Sequence, residues 1–201
     1  FYANAALPKS LLFEYDQNIY SHTRFISSKR EENIQWKYFQ YLALLFTEIY
    51  LDKYFSNKVG LLAELNTYQS RLLVTEYDHF KEISDFKLED LNKLAFWNAT
   101  GSGKTLLMHV NILQYKHYLK KHNKTKDLNR VIVLTPNEGL SRQHLIELKD
   151  SGFDAELFDK NGGSLFVGSK IEIIDIHKLE EKSGAKTIAI EAFETNNLVL
   201  V

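Results

Sequence analysis

The residues of this chain best suited to chemistry stand together in Thr100-Gly101-Ser102-Gly103-Lys104-Thr105, inside the stretch FWNATGSGKTLLMHV (96–110). An apolar run precedes this turn and a helical pattern follows it. Gly101 and Gly103 let the backbone bend sharply and approach an anion with no Cβ in the way. The N–H groups at the start of the helix then favour a phosphate. At this spacing Lys104 reaches the β- and γ-phosphates of a nucleoside triphosphate, and the Thr105 hydroxyl ligates Mg²⁺. These six residues are the candidate nucleotide-binding set. Lys104 and Thr105 are the candidate catalytic pair, and Thr105 is the candidate metal ligand. A glycine turn that merely starts a helix is the plainer alternative. The strict pattern, G-x-x-x-x-G-K-[ST], has a glycine where this chain has Asn98.

Such a loop needs a strand before it and a helix after it. KLAFW (93–97) reads as the strand, and the helix is expected from Lys104 to about His122. VIVLTP (131–136) reads as a buried strand that stops at the proline. The next helix, EGLSRQHLIELKDSG, is expected to end near Gly152, with Asn137 capping its start. Short strands are expected at 155–158, 170–176, 187–190 and 197–201. Strands alternating with helices make an α/β fold, a parallel sheet with crossover helices. Before residue 90 the character changes. Nine of the eleven tyrosines precede Leu91 and eight of the nine glycines follow it, so we place a boundary there. Ile34, Tyr38, Tyr41, Leu42, Leu45 and Ile49 are spaced for a helix over about 32–55, and a second helix fits 60–73. The division is thus a helical, aromatic-rich region at 1–90 and an α/β unit at 91–201.

The chain has 201 residues, 44% hydrophobic and 25% charged, the mix of a globular domain with a sizeable core. It has no cysteine, which excludes disulfides and thiolate metal sites and fits a cytoplasmic location. A net charge of −1 means that any nucleic-acid binding must come from a local patch. The basic run at 114–130 is one candidate, though such runs often cap a solvated helix. The apolar run YFQYLALLFT (38–47) is too short to cross a bilayer, and Lys37, Glu48, Asp52 and Lys53 crowd its ends. No membrane segment is expected. The seven histidines show no metal-ligand spacing.

NATGSGKT resembles motif I of superfamily 2 helicases and DNA translocases, often A/M-x-T-G-S-G-K-T, with Asn98 in the place of Ala or Met. LTPNEGLSRQ (134–143) resembles their motif Ia, often P-T-R-E-L-A-x-Q. Pro136, Leu140 and Gln143 match it; Gly139 and Ser141 do not. KIEIIDIHKL (170–179) resembles a third strand of that group, with Asp175 where threonine is common. The wording is most similar to DEAD/DEAH-type proteins of the type III restriction subunit group, mainly over residues 93–201. The resemblance implies a RecA-like P-loop NTPase fold and a motor using ATP and Mg²⁺ on DNA, with RNA also possible. It implies nucleic-acid contacts at Thr135, Pro136, Asn137, His177 and Lys178. In that group a glutamine upstream of motif I reads adenine; Gln40 in YFQYLA is the candidate here.

The chain starts at Phe1 and stops at NNLVLV, where an Mg²⁺-binding Asp and the following Glu would stand in that group. It is therefore expected to be the N-terminal piece of a larger motor, cut before motif II and inactive alone. Its partners would be a second motor domain and other subunits of a restriction or phage-defence complex. The parent is expected to continue with Asp-Glu, and the end of the 197–201 strand to share a crevice with Lys104 and Thr105. The alternatives are a kinase or GTPase of different architecture, and a non-catalytic module that binds nucleotide or nucleic acid.

Overall fold

The structure is a computed structural model that describes residues 7–75, 84–158, 170–178 and 197–201. Three helices come first: α1 (Lys9–Ser27), α2 (Tyr38–Ser56) and α3 (Lys58–Thr75). The sequence showed no clear pattern for α1. It buries Tyr15, Ile19 and Ile26, one stripe of its surface. α2 starts six residues later than the expected Glu32. The segment before it is tied to α1 instead: Ile34 N donates to Ser27 Oγ (3.1 Å) and Trp36 Nε1 to Thr23 Oγ1 (2.7 Å). Those side-chain acceptors compete with a helical ladder. The shorter helix leaves Gln40 in its first turn. α3 follows after the single residue Asn57, whose Oδ1 accepts from Gly60 N (2.9 Å).

The α/β part holds α4 (Lys104–Lys121), β1 (Arg130–Thr135), α5 (Glu138–Asp150), β2 (Ala155–Leu157), β3 (Ile171–Asp175) and β4 (Asn197–Leu200). The strands form one parallel sheet in the order β2-β3-β1-β4. Val131 stands opposite Ile171 and Leu198, and Ala155 opposite Ile171. Side chains alternate between faces. One face carries Val131, Val133, Ile171 and Ile173, covered by Ile112 of α4 and Leu148 of α5. The other buries Ile132 and Ile174 with Leu134 and Phe158. Burial on both faces explains why these strands read as unbroken apolar runs.

The strand expected at 93–97 does not form. Among the described residues this segment has no ladder partner, and Trp97 is fully exposed. β4 pairs with β1 and stands at the sheet edge. The strand expected at 187–190 lies outside the described residues.

α4 belongs to two cores. Ile112 faces the sheet, while Leu107 and Val110 pack with Tyr15, Ile19, Ile26, Leu44 and Leu45 of α1 and α2. His109 of α4 is fully buried against α5, its Nδ1 2.8 Å from Ser151 Oγ. Burial, with the charges of Arg30 and His144, pushes its pKa down to about 3. The folded value lies below the unfolded one, so the neutral ring favours the fold. That stability is complete above pH 6.5 and is lost as pH falls towards 3. Going from pH 6.5 to 5 should cost roughly 1–2 kcal/mol through His109 alone. Thermal melts of the wild type and His109→Gln across this range check it: the variant's melting temperature should fall less steeply.

Candidate nucleotide loop and nucleic-acid turn

The turn 99–103 is closed by Ser102 N donating to Ala99 O (3.2 Å). Gly101 and Gly103 both have left-handed backbones, with φ of 74° and 78°. A side chain at either would be strained, which is the local reason for glycine here. Gly103 is the N-cap of α4, so the free N–H groups of the first helical turn open onto the loop. Lys104 is exposed and its Nζ donates to Ala99 O (3.0 Å) and Asn98 O (3.4 Å). Its ammonium thus lies folded over the loop. Asn98 contributes through its backbone carbonyl, a group that any residue at that position supplies. Thr105 is half-buried at the second position of α4.

Two observations test whether a phosphate chain fits. A Cβ built on Gly101 meets nothing within 4 Å, so the loop is open on that side. Ser102 Oγ is buried with no hydrogen-bond partner among the described residues, a donor available to an anion. Thr100 and Gly101 are exposed beside it. The residues fit the group.

Gln40 reaches this loop from 62 residues upstream. Its Nε2 donates to Ser102 O (2.8 Å), and its Oε1 accepts from Lys37 N (2.8 Å). A Cβ on Gly103 would stand 2.6 Å from Gln40 Nε2, so the second glycine also makes room for this contact. One N–H and one lone pair of the amide remain for a ligand.

The expected nucleic-acid residues gather at the carboxyl ends of two neighbouring strands, where Thr135 pairs with Asp175. Asn137 caps α5 as expected, its Oδ1 accepting from Leu140 N (2.9 Å). Pro136 and His177 are exposed beside it. His177 N donates to Asp175 Oδ1 (3.0 Å), which fixes the turn after β3. The side chain of Lys178 lies outside the described residues. Thr135 is different: it is buried, and its hydroxyl lies 2.6 Å from Ser141 Oγ and donates to Ile174 O (3.3 Å). Thr135 and Ser141 therefore hold the turn's shape. The serine that departs from the motif Ia pattern is part of that lock.

Three of the six basic side chains in the run at 114–130 are engaged in the fold. Lys121 pairs with Glu14 (2.9 Å) and Asp52 (3.0 Å), Arg130 pairs with Glu172 (3.3 Å), and Lys124 lies over the Phe55 ring. The expectation that β4 ends beside Lys104 presumed a loop strand within the sheet. That strand does not form, and α2 meets the loop through Gln40. His109, in the second turn of α4, touches the end of α5 at Ser151, whereas Asn137 caps its start, about 20 Å away along the helix.

Sequence reasoning passed over Glu48, Gln114 and Tyr118, which are all fully buried. The signal was present: Gln114 and Tyr118 continue the apolar spacing of Leu107 and Val110, and Glu48 follows Leu44 by four.

No helix among the described residues is long and apolar enough to cross a membrane. The family model described as "Type III restriction enzyme, res subunit" matches residues 62–201, more than two thirds of the chain. No curated protein and no solved structure gives a significant match. Gln40 lies outside the matched residues.

Proposed function

We propose, for a chain that belongs to the family of type III restriction enzyme res subunits, that it carries the ATP-binding part of a helicase-type motor acting on DNA in a restriction or defence system. ATP with Mg²⁺ is the ligand. The N–H groups of 101–105 and Lys104 hold the β- and γ-phosphates, Thr105 ligates the metal and Gln40 reads the base. Bound Mg²⁺ supplies charge neutralisation at the phosphates. The protein's own part is to position the phosphates and exclude alternatives to adenine. Pro136, Asn137, His177 and Lys178 form a separate contact for a phosphodiester backbone, supported by the free N–H groups at the start of α5. We keep a division at about residue 90, with 1–90 a helical region docked on a partial motor domain at 91–201.

The observation that carries this reading is the hydrogen bond from Gln40 to Ser102. The same amide caps the start of α2 through Lys37 N, so one side chain ties that helix to the loop and still has an N–H and a lone pair for a base. A kinase or GTPase reading has no comparable support. In this reading the 201 residues bind ATP–Mg²⁺ without turning it over, and steady-state hydrolysis abolished by Lys104→Ala would overturn that part of it.

The test is nucleotide titration by fluorescence. Wild type should prefer ATP to GTP by about tenfold, the value of one or two hydrogen bonds. Gln40→Ala should erase the preference and leave affinity for inorganic tripolyphosphate within about twofold. Unchanged preference in Gln40→Ala would overturn the role of Gln40.

A further inference from the structure

Gln40 sits on α2 and the phosphate loop opens α4, so base reading depends on where one helix lies along the other. Apolar packing alone sets that loosely, because hydrophobic contact is non-directional. The shared core of Leu44, Leu45, Leu107 and Val110 is apolar. Buried hydrogen bonds add the direction that such contacts lack. Glu48 stands two turns beyond Gln40 on α2 and is fully buried. Its Oε1 accepts from Gln114 Nε2 (2.8 Å), and its Oε2 accepts from Tyr118 Oη (2.7 Å) and Asn18 Nδ2 (3.1 Å). Gln114 Nε2 also donates to Leu44 O (3.0 Å), one turn from Gln40.

Two rungs, four residues apart on each helix, therefore join α2 to α4, and Asn18 adds α1. Each bond has a narrow geometry, and a slide of one helical position between α2 and α4 breaks those to Gln114 and Tyr118. A carboxylate in this core is expensive to desolvate, and none of its three side-chain partners is a cation. An apolar residue of similar size would pack the three helices at less cost. The network is better explained by register than by stability.

We propose that Glu48 is a positioning residue for base selection: through Gln114 and Tyr118 it sets the place of α2 along α4, and so the place of Gln40 against the phosphate loop. This rests on the reading that Gln40 selects adenine.

Glu48→Gln keeps the volume but turns one acceptor into a donor facing other donors. With its fold verified by circular dichroism, it should lower the ATP-to-GTP preference by about tenfold and change tripolyphosphate affinity by less than about twofold. In a Gln40→Ala background, Glu48→Gln should have no further effect on the preference. Should Glu48→Gln lose its native spectrum, Tyr118→Phe carries the same test by deleting one donor. If Gln40→Ala removes the preference while folded Glu48→Gln keeps it, Glu48 is structural only and the proposal is overturned. It is equally overturned if Glu48→Gln weakens tripolyphosphate and ATP alike. If Gln40→Ala keeps the preference, the base-reading role itself fails, and that outcome is distinct from the other two.

Discussion

Lys104→Ala is expected to lower the affinity for the proposed ligand, ATP–Mg²⁺, by about 10- to 100-fold, the loss of a charge-assisted hydrogen bond to phosphate. The expected loss follows from what Nζ does in the structure. It donates to the carbonyls of Ala99 and Asn98 at the surface, so only weak, water-exposed bonds hold it there. It can leave them for a phosphate at little cost. For the same reason the variant should keep its stability to within about 0.5 kcal/mol. Isothermal titration and a thermal melt on one sample separate the two effects. Equal affinity in variant and wild type would remove Lys104 from the site. A large drop in melting temperature would mean that the ammonium is a structural group.

Ile112→Ala should have the largest effect on stability, about 2–5 kcal/mol. Ile112 is fully buried where α4 meets β1, β3 and α5. Truncation leaves a cavity that the strands, held by their ladders, cannot close. The consequence should reach beyond the sheet, because the neighbouring residues Leu107 and Val110 anchor α1 and α2 to the same helix. Urea titration followed by far-ultraviolet circular dichroism and by tryptophan fluorescence tests this. Trp36 reports the helical region, and Trp97, fully exposed, changes little on unfolding. Both midpoints should fall together. A fluorescence midpoint that stayed at the wild-type value would show that the helical region folds independently of α4.

These two residues differ in how readily sequence exposes their roles. Lys104 is legible because its neighbours are its partners. The glycines, the lysine and the threonine form one local turn whose backbone needs are written in residue types. The same holds for the Asn137 cap, for α4 and α5, and for β1, β3 and β4, whose apolar runs match the observed strands to within a residue or two. Membership of the family rests on this local wording, since the match begins at residue 62 and covers those elements.

Tertiary packing decided the rest. Gln40 was a candidate by resemblance, but only the docking of α2 on α4 brings it to Ser102. Its helix starts at Tyr38 rather than Glu32, which leaves Lys37 N for Gln40 Oε1, and the two side chains of α1 that claim residues 34 and 36 cannot be read from residues 32 to 55. Glu48 closes an apolar run in the sequence and reads as a solvated end, yet it is fully buried because donors from α1 and α4 surround it. Thr135 reads as a nucleic-acid contact, yet its hydroxyl is spent on Ser141 and Ile174. KLAFW has the composition of a strand, but a strand exists only when a neighbour offers its backbone groups, and among the described residues β4 pairs with β1 alone. Periodicity and turn chemistry act over a few residues and so leave a mark in sequence. The partner of a buried polar group or a sheet edge is chosen by distant segments, and only the folded chain identifies it.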